Sequence, residues 1–133
     1  MSESRQAGFS LIGVLVAVAI IGVMAAIAVP KFTATIMTAN TAKVQSDLTT
    51  LDAAIAVYQL EKGYEPPTLD ELGEYVSDLE SLKPPKGKCR LKDGTIITLE
   101  DAKYTLRKGT ANGIEGARAV CADHTAGEFG YVQ

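Results

Sequence analysis

Hydrophobic positions divide this chain into a stretch with no polar face, a stretch with one apolar stripe, and a stretch that alternates. Between Arg5 and Lys31 there are 25 consecutive residues without a charge, most of them aliphatic. At about 1.5 Å per residue, residues 9–30 make a helix of roughly 33 Å, enough to cross the hydrocarbon core of a bilayer. Residues 31–62 contain no Gly or Pro, and Val44, Leu48, Leu51, Ile55 and Tyr58 recur at spacings of four, three, four and three, one stripe of a helix. Lys43 and Asp47 stand off that stripe, and Gly63 follows as a C-cap. The pattern predicts a helix from about residue 9 to 62, roughly 80 Å long, weakest at Gly22 and Pro30. Its all-apolar half suits lipid and later a protein bundle. Its amphipathic half needs one covering layer, although a membrane anchor leading into a coiled coil gives the same stripe.

The remaining sequence offers that layer. Glu65-Pro66-Pro67 is a turn, and Thr68 with Glu71 fits a capping box opening a short helix to about Tyr75. Pro84-Pro85-Lys86-Gly87 is a second break. Beyond it strands are predicted at 88–91, 95–99, 103–107 and 117–122, with Asp93-Gly94 as a hairpin turn, 108–116 as a loop and 128–132 as a final edge strand. The class is therefore α+β, one long helix on a small antiparallel sheet.

Residues 8–30 read G-F-S-L-I-G-V-L-V-A-V-A-I-I-G-V-M-A-A-I-A-V-P. Together with the short polar stretch before them, they resemble the prepilin signature of type IV pilins and type II secretion pseudopilins. The resemblance implies a leader at 1–8, a transmembrane and filament-core helix at 9–30, and at 31–133 the amphipathic half of that helix with a globular head. It implies cleavage by prepilin peptidase between Gly8 and Phe9, N-methylation of Phe9, and assembly through Phe9, Ser10, Leu11, Ile12, Gly13, Gly22 and Pro30. Ala17, Ala19, Gly22, Ala25 and Ala26 suit the close helix approach such a bundle requires. The implied partners are further copies of the chain, minor pilins, an assembly ATPase, a platform protein and inner-membrane lipid. The subunit would move from the inner membrane into a periplasmic or extracellular filament. Surface pili, secretion pseudopili and DNA-uptake filaments share this segment, so it does not separate them.

The sequence departs from the family at Gly13, where a glutamate usually neutralises the N-terminal ammonium of a neighbouring subunit; an unpaired charge in apolar surroundings is costly. Two other readings of the segment exist. Ala26-Ile27-Ala28 fits a secretory cleavage site that would release a soluble domain near Val29, and an uncleaved signal anchor would hold an unrelated domain. Against both stand the position of Gly8-Phe9-Ser10, where the polar stretch meets the apolar run, and the helical sequence continuing past Lys31 without a linker.

The head has about 70 residues, a size at which a covalent staple helps. Cys89 and Cys121 offer one, since an exported region permits oxidation and a loop of about 30 residues would contribute ~3 to 4 kcal/mol. The pairing matches the family's disulfide-bounded loop; two buried free thiols are the alternative. A net charge of −3 and a pI near 5.1 give no footprint for nucleic acid, and loss of residues 1–8 leaves that charge unchanged. DNA binding is not indicated. Lys83, Lys86, Lys88 and Arg90 form a local basic run that reads as a solvated face.

No cofactor is expected. Calcium is the one ligand to weigh, because some similar pseudopilins bind it in a late loop; Asp93, Glu100, Asp101 and Asp123 are the oxygens available, but they lack the spacing of a helical calcium loop. His124 is the single histidine, and no nucleophile motif or phosphate-binding loop accompanies it, so no enzymatic activity is expected.

Overall fold

The computed structural model describes residues 2–109 and 116–131, with side chains from residue 10 onward. The chain forms two compact units, Met1–Thr35 and Ile36–Gln133. A single helix, α1 (Ser2–Lys62), begins in the first and ends in the second. It starts seven residues before the predicted start and passes through both Gly22 and Pro30 without a break. After the proline, the Thr33 and Thr35 hydroxyls bond back to the Val29 and Lys31 carbonyls at 3.1 and 3.0 Å. α1 stops where the sequence indicates. Gly63 takes a left-handed conformation, φ 79°, and its N–H closes on the Gln59 carbonyl at 2.9 Å.

In the second unit the predicted stripe is the core. Val44, Leu48, Leu51, Ile55 and Tyr58 are at most 5% exposed, covered by Leu72, Val76, Cys89, Leu91, Leu99, Cys121 and Phe129. The stripe is thus occupied by the chain's own head, which leaves no apolar seam there for a coiled coil. The turn after Glu65 leads into a 3₁₀ helix, Leu69–Glu74, at the place predicted for a short helix. The capping box expected there is absent. Thr68 makes no side-chain cap, and its carbonyl accepts the Glu71 N–H in a tighter turn.

The β-structure is two small antiparallel sheets. In one, β1 (Gly87–Arg90) pairs with β2 (Ile96–Leu99) around the predicted turn, where Asp93 accepts the Thr95 N–H at 2.8 Å. In the other, the order is β3 (Tyr104–Arg107), β4 (Arg118–Cys121), β5 (His124–Thr125). Residues 110–115 of the predicted loop lie outside the described residues. β4 and β5 are joined by Ala122-Asp123, both at positive φ (50° and 64°), the conformation of a two-residue hairpin that glycine or asparagine usually fills. The final edge strand is corrected to a 3₁₀ turn, Ala126–Glu128, followed by one bridge between Phe129 and Leu91. Glu128 draws the chain into that turn by accepting the Thr125 N–H at 2.6 Å.

The structure brings both cysteines of the expected disulfide into one core cluster. Cys89 on β1 and Cys121 on β4 are free thiols, both fully buried in the shared core. Burial holds each thiol protonated, Cys121 up to about 11, with the proximity of Cys89 adding to the shift.

Candidate functional site

The first unit presents the largest apolar surface of the molecule. From Leu11 to Val29 every large aliphatic side chain is more than half exposed, and the membrane-length apolar stretch of α1 has no part of itself buried. Soluble proteins rarely expose a contiguous apolar patch of more than a few hundred Å². This surface is built for lipid or for other helices. Ser10, Leu11, Ile12, Gly13, Gly22 and Pro30 all lie on it. A Cβ added at Gly13 or Gly22 would meet nothing within 4 Å, so both positions are open to a partner's approach. Gly8 and Phe9 lie within α1, and the Phe9 side chain falls outside the described residues.

The second unit holds α1 through polar contacts that periodicity did not reveal. Asp47, 8% exposed, accepts the Tyr104 hydroxyl at 2.6 Å and the Lys43 ammonium at 2.7 Å. Lys43 in turn donates to the Lys83 carbonyl. Burial, followed by the bond to Asp47, pushes the Tyr104 phenol well above its ordinary value. One turn away, Asp52 accepts the Ala119 N–H at 2.8 Å and faces Arg118 at 3.7 Å; burial outweighs both and raises its carboxyl. Thr41, 2% exposed, accepts the Arg90 N–H and donates to the Met37 carbonyl. Only the Lys43–Asp47 pair was visible in the sequence, as an i,i+4 spacing.

The remaining candidates do not assemble into a reactive site. His124 is half-buried, its ring edge-on to Phe129 and its Nδ1 3.7 Å from Glu128. Among the described residues no group of three or more His, Cys, Asp or Glu side chains gathers for a metal. Asp93 caps the β1–β2 turn, the Asp123 carbonyl takes an N–H from Arg107, and Asp101 sits at a positive-φ bend, so the calcium candidates serve separate turns. Glu100 is exposed beyond β2.

Comparison with known proteins agrees with the geometry of the first unit. Residues 4–29 match the family described as the prokaryotic N-terminal methylation motif. The chain is 32% identical over 108 residues to type II secretion system core protein G of Dickeya chrysanthemi, an alignment covering 78% of this chain and 69% of that one. No solved structure matches.

Proposed function

The chain belongs to the pilin and pseudopilin family, structural subunits rather than enzymes, and from that premise we propose that it is a prepilin, cleaved between Gly8 and Phe9 and polymerised through residues 9–30. The observation that carries this reading is the contrast between the two parts of α1. The stripe from Val44 to Tyr58 is covered by the chain's own head, whereas the large aliphatic side chains from Leu11 to Val29 are more than half exposed among the described residues. Lipid would cover that surface before assembly and neighbouring helices after it, small residues allowing close contact. A head-to-tail contact that does not close generates a filament rather than a ring. The relative's place in a type II secretion system favours a secretion pseudopilus. Prepilin peptidase, an assembly ATPase, a platform protein and minor subunits are the partners this reading requires. Phe9 would carry the methyl group.

Gly8→Asp tests the processing step. In cells containing the peptidase, the variant is expected to keep its full mass and yield no filaments visible by electron microscopy, while the parent chain loses eight residues. Processing of the variant at the normal position would sink the assignment.

A further inference from the structure

β1 and the residues just after it carry a cationic face that the head itself does not use. Cys89 and Leu91 enter the core at 0% and 4% exposure, so the alternation of the strand turns Lys88, Arg90 and Lys92 outward together. Ile96 pairs with Arg90 across the hairpin, shares that face and is 52% exposed. None of the three cations forms an ion pair among the described residues. The neighbouring carboxylates are engaged elsewhere: Asp93 accepts the Thr95 N–H, and Glu128, whose carbonyl bonds the Lys92 N–H, gives its side chain to Thr125. Lys83 and Lys86 take no part, because they line a recess of mixed charge with Asp70, Glu80 and Asp101.

The face is also shaped for a phosphate group. The Arg90 guanidinium lies 4.8 Å over the Tyr131 ring, and the Tyr131 hydroxyl shares a 2.9 Å hydrogen bond with the Thr38 hydroxyl, so the plane of the arginine is fixed. Its buried Nε has no hydrogen-bond partner among the described residues. Tyr131 lines a recess of about 600 Å³ together with Thr38, Gln45 and Lys92, and no carboxylate lines it. Guanidinium and ammonium donors around such a recess are complementary to phosphate oxygens.

A bilayer is the phosphate-bearing surface within reach. Eight residues separate Pro30, where the apolar run ends, from Thr38, about 12 Å as helix and at most about 28 Å of extended chain. Phe32 and Ile36 in that interval are 69% and 48% exposed, and Tyr131 and Ile96 add to the cations the aromatic and apolar side chains typical of interfacial segments. We propose that the face carrying Lys88, Arg90, Lys92 and Tyr131 docks on anionic lipid of the bilayer that holds the apolar half of α1, taking headgroup phosphates and keeping the head against the membrane until assembly. This rests on the membrane-inserted precursor of the filament reading and adds a second lipid contact, made by the head.

The full chain reconstituted in vesicles tests the proposal. The sequence has no tryptophan, so Ile96→Trp supplies a single reporter on the face, and Leu60→Trp a control at an 85% exposed position about 28 Å beyond Thr41 along α1. In phosphatidylcholine vesicles containing phosphatidylglycerol, the reporter at 96 is expected to be shielded from acrylamide and quenched by lipids bearing a nitroxide at the headgroup. In phosphatidylcholine alone it is expected to be open to acrylamide, with the control at 60 the same in both. Raising salt should undock the face, since exposed charges are screened beyond about 8 Å at physiological ionic strength. Each cation near an anionic surface contributes about fivefold, so Lys88→Gln with Lys92→Gln, both exposed, is expected to lower the docking equilibrium roughly 25-fold.

A chain that floats with the vesicles while its reporter at 96 ignores the anionic lipid would overturn the docking and leave the filament reading standing. A chain that does not enter vesicles would overturn both. A reporter moved as strongly by inorganic phosphate in phosphatidylcholine vesicles as by phosphatidylglycerol would assign the recess to free phosphate and overturn the lipid contact. Filament recovery lost in the double variant without any lipid response would overturn it too, and give the cations to an acidic protein partner.

Discussion

Replacing Tyr104 by Phe removes one hydroxyl and nothing else, and it bears directly on how the head is fastened to α1. That hydroxyl donates to Asp47 at 2.6 Å across 57 positions of sequence. The acceptor is charged and 8% exposed, and its remaining partner, Lys43, is 46% exposed at the side chain. A hydrogen bond to a charged group contributes about 1.5–3 kcal/mol, and leaving a buried carboxylate short of a donor places the loss in that range. For a domain of about 100 residues, each kcal/mol moves Tm by roughly 4–8 °C, so Tyr104→Phe is expected to lower Tm by about 6–24 °C. Circular dichroism of the full chain in detergent micelles, following the loss of head structure, reads this. Lys43→Met is the comparison. Its half-exposed ion pair contributes about 1 kcal/mol or less, a smaller shift. A Tyr104→Phe loss below about 0.5 kcal/mol, or a larger loss from Lys43→Met, would refute the claim that the buried bond to Asp47 fastens the head.

Three further outcomes are expected. The Tyr104 phenol and the Cys121 thiol stay protonated in the fold above their ordinary values of 10.0 and 9.0, so their contribution is full below those values and is lost as pH rises; Tm should fall above about pH 9, and a flat profile to pH 10.5 would contradict the burial assigned to them. Ala122 sits at φ 50° in the β4–β5 turn, and Ala122→Gly should stabilise the head by about 0.5–1 kcal/mol, a gain visible as a higher Tm, whereas a decrease would show that the turn is not strained. Gly13→Glu places a carboxylate in open space on the assembly helix and supplies a partner for the mature amine; filament yield should rise, and an unchanged yield would show that the subunit compensates by another route.

The helical framework was legible because it is written in local periodicity. Val44, Leu48, Leu51, Ile55 and Tyr58 are all buried as the stripe required, Gly63 caps the helix, and Asp93-Gly94 turns the first hairpin. Departures occur where local chemistry was ambiguous or contacts are distant. The β4–β5 turn carries Ala and Asp instead of a glycine, so 122–125 did not read as a hairpin, and Glu128 bonded to Thr125 leaves a 3₁₀ turn where alternation suggested a strand. Asp47–Tyr104 and Asp52–Ala119 join residues 57 and 67 positions apart, a pairing no spacing rule contains. Cys89 and Cys121 meet in one core across 32 positions, a proximity that spacing alone does not give.

The intact mass and N-terminal sequence of the protein recovered from the cells that make it test the central claim most directly. The account predicts a chain beginning at Phe9, with a further 14 Da or so if its amine is methylated. A chain beginning at Val29 would make this a released soluble domain, and one beginning at Met1 an unprocessed anchor; either would contradict it.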